Sequence, residues 1–514
     1  MFYRIMIILI VLMLIMPVTF AKTILYVPFD DRPVSLDYAM NTVKAAKIDI
    51  LTPPVEYLAS RNKSGDAEKL WQWVNQNANR ADALVLSADA LIYGGLVDSR
   101  THDWNQIVLE WSLRRFKTLH ETNPNVPIYL FSTVMRSPSA SAGGVEPLYY
   151  ERYGPYIFQL TALQDKAEVK GITSDEKKIM QTAKDNIPPE YLADWLDRRD
   201  KNFQINTKLI DLTKQGIFKY LVLGRDDTSP FSQTHKEGRA LMKLAKGLSP
   251  DQFSSFPGAD QLGMILLARA YNHILAQTPA VEVRYMIGSG AATIPSYEDQ
   301  SIGDTIADHI VAAGGVVSDG SKAPDLILAI NTPLNGHTAE AGMIENIVYV
   351  TDVMHHFVNA IGKEIKAGHS VAIADIAFAN GADNSLMREM HELDLLDKVS
   401  AYSGWNTASN TLGYAIGQGM MSKTMDEAGR KQLLTARYLD DWAYQANIRG
   451  KLYQEFVYPQ RGSEEDIALM EPGLTAQLKK EMQLFATKYI WFSPDEIEVS
   501  FPWNRMFEIK AELK

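Results

Sequence analysis

Short apolar runs, each closed by a polar cluster and followed by a longer stretch with helical spacing, recur from Thr23 onwards. This alternation restricts the fold more than any other feature of the chain. The runs begin at residues 24, 83, 127, 219, 253, 281, 325, 371 and 399, with a shorter one at 49, and between them segments such as 36–46, 66–75, 233–248 and 261–276 have helical periodicity. Strands joined through helices pair in parallel, because parallel neighbours need a crossover connection. Nine main runs is one more than a (β/α)8 barrel requires. The expected architecture is therefore α/β and (β/α)8-barrel-like over residues 22–424, with two doubly wound α/β domains as the alternative. Residues 137–216 interrupt the alternation with a small-residue loop, a tyrosine patch (Tyr149, Tyr150, Tyr153, Tyr156) and charged helical segments. A structureless loop of that length is uncommon, so a helical insertion over the strand ends is expected there. The strand signal fades after residue 424, and 425–514 reads as a helical C-terminal region with a polar-aromatic tail.

Residues 1–21 carry one early positive charge, Arg4, an apolar run over 5–16 and a small-x-small ending at Ala21. The run is shorter than the ~20 residues a spanning helix needs, and the pattern is that of a secretory signal peptide cleaved after Ala21. A periplasmic or secreted protein with no membrane span after cleavage is expected. The chain has no cysteine, which excludes disulfides, thiolate nucleophiles and Cys-ligated metal. A formal net charge of −11 argues against a nucleic-acid partner, which would demand a basic footprint.

Chemistry is expected at the strand ends, which share one face when the strands are parallel. The segment 219–230, KYLVLGRDDTSP, reads as a buried strand ended by Gly224, with Asp226 and Asp227 in the loop beyond it. Adjacent carboxylates raise one another's pKa, giving an acid and a base at one pH. Similar clusters follow the other runs: Asp30, Asp31 and Arg32; Asp89; Arg136; Asp260; Asn331; Asp375, Asn380 and Asp383; Trp405, Asn406 and Asn410. Turn and N-cap preferences alone place many Asp and Asn residues at such ends, but explain less well the repeated Asp-plus-Arg pairing. Carboxylates and amides bind hydroxyls and aromatic rings pack against sugar faces, so a small-molecule or glycan substrate is expected, with Asp226 and Asp227 catalytic and Asp30, Asp31, Arg32, Asp89, Arg136, Asp260, Asn331, Trp405, Asn406 and Asn410 binding. No G-x-S-x-G elbow, P-loop, G-x-G-x-x-G after the first strand or H-E-x-x-H is present. Neighbouring His355 and His356 point apart on a helix. No cofactor and no metal are expected.

The blocks VPFDDRP (27–33), ADALVLSADALIYGGLVDSR (81–100), PIYLFSTVMR (127–136), LGRDDTSP (223–230), PGADQLGMILLAR (257–269) and SGWNTASNTLG (403–413) together resemble a bacterial family catalogued as domain of unknown function 4127. That resemblance covers most of the chain and implies relatives rather than an activity. The Asp pair followed later by Trp-Asn is also similar to β-N-acetylglucosaminidases of the O-GlcNAcase and bacterial hyaluronidase-like type, where the pair follows the fourth barrel strand. It implies Asp226 orienting a substrate acetamide, Asp227 as general acid/base and Asn406 holding sugar hydroxyls. The sequence departs from that pattern at Asn410-Thr411, where an acid is expected, and at Phe29–Pro33, where a glycine-aromatic motif is expected. An exported glycoside hydrolase is the expected function, with a metal-dependent hydrolase using the same carboxylates, or a non-catalytic envelope glycan-binding protein, as alternatives.

Overall fold

The computed structural model of the protein describes residues 22–140 and 144–514; the expected signal peptide lies outside the described residues. Strands β1 (Thr23–Val27), β2 (Asp49–Leu51), β3 (Ala83–Ser87), β4 (Ile128–Val134), β5 (Tyr220–Arg225) and β6 (Phe253–Pro257) form one parallel sheet in the order β2-β1-β3-β4-β5-β6. Strands β7 (Ala280–Tyr285), β8 (Val316–Val317), β9 (Leu326–Asn331), β11 (Val371–Asp375) and β13 (Ala401–Ser403) form a second parallel sheet in the order β13-β11-β9-β7-β8. Between these sheets' strands, β10 (Ala339–Glu340) and β12 (Phe378–Ala379) pair only with each other.

Every run read as a strand is one, but the strands divide between two sheets instead of closing into the single eight-stranded barrel suggested by their number. Read from its own first strand, each sheet begins 2-1-3-4-5, a doubly wound order that places its strand-order reversal beside its first strand.

Period-two alternation shows how the layers are built. Ile24, Tyr26, Ala83, Val85, Tyr129, Phe131, Tyr220 and Val222 face one core, whereas Leu25, Val27, Leu84, Leu86, Ile128, Leu130, Leu221 and Leu223 face another. In the second sheet Leu326, Leu328, Ile330, Ala372 and Ala374 point into that same first core, and Ile327, Ala329, Val371 and Ile373 point away. The shared central core is filled by the helices Leu262–Ile274 and Ala408–Met421. Both are apolar around nearly their whole circumference, as helices covered on both sides must be.

Residues 150–214 contain three helices, Tyr150–Val169, Ser174–Asp185 and Pro189–Lys214. Beyond residue 424 the chain is mostly helical, including an 11-residue π-helix, Tyr438–Ile448. The tail differs from the helical expectation: β14 (Ile497–Ser500) and β15 (Lys510–Leu513) form an antiparallel pair. No helix among the described residues is long and apolar enough to cross a membrane.

Candidate active site

Gly224 does not end its strand. It lies within β5, and a Cβ there would sit 2.3 Å from the Gly258 carbonyl oxygen and 2.6 Å from a Leu262 methyl. The missing side chain lets the exits of β5 and β6 close together, and Gly258 N donates to Arg225 O at 2.9 Å. The next two residues, Asp226 and Asp227, emerge into a cleft of about 560 Å³. Loops and helix starts beyond the carboxyl ends of both sheets line it, with Arg32, Arg100, Arg136 and Asp260 from the first, and Tyr297, Asn380, Asn406, Thr407 and Asn410 from the second. The C-terminal tail adds Trp503, Arg505 and Phe507. A crevice at carboxyl strand ends is where open α/β sheets bind ligands.

Guanidinium groups hold the carboxylates. Arg100 pairs with Asp226 through Oδ2. Arg136 donates to Asp227 Oδ2 at 2.9 Å and also pairs with Glu146. Arg32 joins Asp30, at 3.0 Å, to Asp260, at 2.7 Å, although β1 and β6 have three strands between them. No donor of the described residues reaches Oδ1 of Asp226 or of Asp227. Burial, reinforced by the charge of Asp226 and opposed by Arg136 and Arg100, pushes the Asp227 carboxyl up to about 6. Burial also raises Asp260, against the pull of Arg32. The cleft thus presents two adjacent acids, each paired with an arginine, of which Asp227 is able to carry a proton near neutrality.

The backbone is held in the left-handed region at four residues lining this cleft: Asp227 (φ 33°), Tyr297 (φ 67°), Asn380 (φ 57°) and Asn406 (φ 61°). Asn and Asp tolerate this conformation, but Tyr adopts it at a cost that surrounding contacts must offset. Those contacts are present. Glu340 accepts from Tyr297 OH at 2.9 Å and from Asn380 Nδ2 at 2.7 Å. Thr228 N donates to Tyr297 O at 3.1 Å, and Asn380 N donates to Asn406 O at 2.8 Å. The second sheet's loops are in this way tied to the Asp226–Asp227 loop.

The predicted residues separate into three groups. Asp226, Asp227, Arg32, Arg136, Asp260, Asn406 and Asn410 line the cleft. Asp30 and Asp31 stand behind it: Asp30 binds Arg32, and Asp31 accepts from Trp503 Nε1 at 2.7 Å. Asp89, Asn331 and Trp405 do not line it. Asp89 is buried at the start of a helix, accepting from Thr133 Oγ1 at 2.8 Å and Thr133 N at 3.1 Å. Trp405 packs in the central core. Asn331 donates to Asp375 at 2.8 Å and to Asp383 at 3.1 Å, at the far side of the second sheet.

Arg100, Glu146, Tyr297, Trp503 and Arg505 were not foreseen. Only the tail motif FPWNRMF (501–507), with Trp503 and Arg505 together, offered a compositional signal. Among the described residues no group of three or more His, Asp or Glu is placed to hold a metal ion.

No curated protein matches the chain. Among solved structures it is similar, at 11% identity, to a UDP-glucosyltransferase from Polygonum tinctorium capable of glucosylating indoxyl, in complex with 3,4-dichloroaniline. That match covers 84% of this chain and 98% of the other with a TM-score of 0.18. A C2-type ketoreductase from a modular polyketide synthase matches at 10% identity over 69% of this chain and 91% of its own, with a TM-score of 0.14. Neither superposition is close enough to carry a structural argument. The sequence match is direct: residues 24–512 fit the model described as Protein of unknown function (DUF4127), and the chain belongs to that family.

Proposed function

We propose that the protein is an exported glycoside hydrolase acting on an N-acetylated sugar, with Asp227 as general acid/base and Asp226 as its partner carboxylate. The observation carrying this reading is the asymmetry of the pair. Each is held by an arginine, Asp226 by Arg100 and Asp227 by Arg136, but Asp227 is the more exposed side chain, 25% against 10%, and is lifted to about 6. A carboxyl able to carry a proton beside a second carboxyl is what acid-base cleavage of a glycosidic bond requires. The free Oδ1 of Asp226 suits an acceptor for an acetamide N–H, and that of Asp227 suits proton delivery to the leaving oxygen. Asn406 and Asn410 supply amides for hydroxyls, and Tyr297, 43% exposed at the cleft, offers a ring for an apolar sugar face. Export rests on the reading of residues 1–21.

The test is turnover of 4-nitrophenyl glycosides of N-acetylglucosamine, N-acetylgalactosamine and their non-acetylated counterparts. Release of nitrophenol from an acetylated substrate, abolished in Asp227→Asn while the fold is retained, is the expected result. Full activity in Asp227→Asn, or no turnover of the panel, overturns the reading.

A further inference from the structure

The two sheets share a strand order but are not equally covered. In the first, the crossover from β2 to β3 carries the helix Ala67–Asn77, whose Leu70, Trp71 and Val74 pack on the outer face of the sheet. The corresponding crossover in the second sheet, from β8 to β9, is the short segment 318–325, whose described residues form no helix. Parallel sheets are ordinarily covered on both faces. Here β7 has a neighbouring strand on each side, yet Glu282 and Arg284 on its outer face are only half-buried.

Beside this uncovered face lies an apolar trough of about 210 Å³, walled by the helix Asp352–Lys366. Val353, Phe357, Ala360 and Glu364 line it at intervals of three or four residues, so it follows one side of that helix for three turns. Met286 and Ile287 line it beyond the end of β7, and Arg284, paired with Glu364, lines it towards the end of the helix. The volume is below the ~300 Å³ at which small-molecule sites begin, but it suits apolar side chains.

The segment just before the helix is the convex counterpart. Met343, Ile344, Ile347, Val348 and Tyr349 are 57–84% exposed. Together they present roughly 650 Å², whereas the largest apolar patch on a typical monomer is about 300–600 Å². With the trough added, the face approaches the ~800 Å² that each partner contributes to a stable protein–protein interface. Charge is unevenly distributed along it. Residues 331–351 contain Glu340 and Glu345 but no Lys or Arg, which is unsuited to an anionic membrane surface. The last turn of the helix carries Lys363 and Lys366, both exposed.

We infer that two copies of the chain associate through this face about a twofold axis, the ridge 343–349 of each filling the trough of the other. Ridge, trough, acidic end and basic end belong to one continuous stretch of chain and its helix. Antiparallel pairing of the two helices therefore sets the Glu345 end of one copy against the Lys363 and Lys366 end of the other, and the same contact recurs by symmetry. The inference is independent of the chemistry proposed for the cleft.

Sedimentation equilibrium of the full protein tests it, with a dimer expected at about 10 µM. Ile344→Glu on the ridge and Ala360→Glu in the trough alter exposed positions, and both variants are expected to keep the wild-type circular-dichroism spectrum. Each substitution enters a twofold interface twice, so each is expected to weaken association by at least about a hundredfold. Glu345→Lys is expected to weaken it about tenfold, and adding Lys363→Glu and Lys366→Glu to restore it. A protein that stays monomeric at about 100 µM overturns the inference, as does a dimer unaffected by Ile344→Glu and Ala360→Glu. Flotation of a monomeric protein with phosphatidylcholine vesicles would assign the ridge to a membrane and also overturns it. A triple charge variant that associates no better than Glu345→Lys overturns the antiparallel pairing.

Discussion

Two carboxylate clusters end the two sheets, and they have opposite characters. At the first, Asp226, Asp227, Asp30 and Asp260 meet Arg100, Arg136 and Arg32, and the cluster opens into the cleft. At the second, Asp375 and Asp383 share Asn331 Nδ2, Asp383 N donates to Asp375 Oδ2 at 2.7 Å, and Tyr402 OH donates to the same oxygen at 3.0 Å. Asp441 from the π-helix closes this second knot, accepting from Gly404 N at 2.8 Å, and Arg437 pairs with Asp440 and Asp441. All four of these acids are buried, and burial raises each, Asp375 and Asp441 to about 7. Raised proton affinity alone therefore does not mark a catalytic acid. An accessible carboxylate oxygen and an adjoining cavity separate the first cluster from the second, which is built as a hydrogen-bonded joint between the sheet and the C-terminal helices.

The largest expected difference is in turnover. Asp227→Asn is expected to lower hydrolysis by about 10²–10⁴-fold with an unchanged or higher melting temperature, because the carboxamide removes a destabilised charge and Arg136 keeps Glu146. Asp375→Asn is expected to leave turnover within error. Parallel kinetics and thermal melts decide this, and loss of activity in Asp375→Asn without unfolding would break the comparison.

Next, Arg100→Met strands Asp226 as a buried charge. A loss of about 3–5 kcal/mol in chemical denaturation is expected, together with loss of turnover.

The pH dependence comes third. Between pH 6.5 and 8 the folded chain retains protons on Asp375, Asp441 and Glu298, all held at about 7, that the unfolded chain has already released. Stability therefore falls as pH rises through this window, and the melting temperature is expected to be lower at pH 8 than at pH 6.5. His102 and His309, both lowered to about 4, act in the opposite sense until the unfolded imidazoles have lost their protons, about one pH unit above 6.5, and so offset part of the slope at the lower end of the window. Asp375→Asn is expected to flatten the slope and Asp227→Asn to leave most of it. A melting temperature that rises over the window contradicts the buried, protonated state of the second cluster.

The smallest effect is expected from Tyr402→Phe, which removes one hydrogen bond to Asp375 at a cost of about 1 kcal/mol. Calorimetry should detect it, and turnover should not.

The strands and the Asp226–Asp227 loop were legible in the sequence because each depends on neighbours along the chain. Alternation placed all ten main and minor runs, and strand-end position brought seven predicted residues to one cleft. What failed depends on which face is which. On β11 the sequence Val371, Ile373, Asp375 puts the carboxylate on the face away from the central core, as Ile327, Ala329, Asn331 does on β9. Asp226 instead continues the parity of Tyr220 and Val222, which face that core. The parity is written in the sequence, but its meaning appears only when the sheets are seen to share a core. The barrel expectation failed for the same reason, since counting strands does not say which of them pair. Tyr297 and Trp503 were missed because loop and tail residues carry no periodicity to place them.

The shared core also limits how anything enters or leaves the cleft. Sites between two α/β units commonly open by swinging one unit about a hinge. Here the helices Leu262–Ile274 and Ala408–Met421 are packed against both sheets at once, and parting the sheets would expose that close-packed layer to water. Traffic is left to the pieces that roof the cleft, the segment after β4 around Pro138 and the tail at Trp503–Phe507. Trp503 is fastened to Asp31, and Arg61 reaches its carbonyl at 3.3 Å. The lifetime of a bound product would then be set by how often that small clasp releases, rather than by motion of the halves of the molecule.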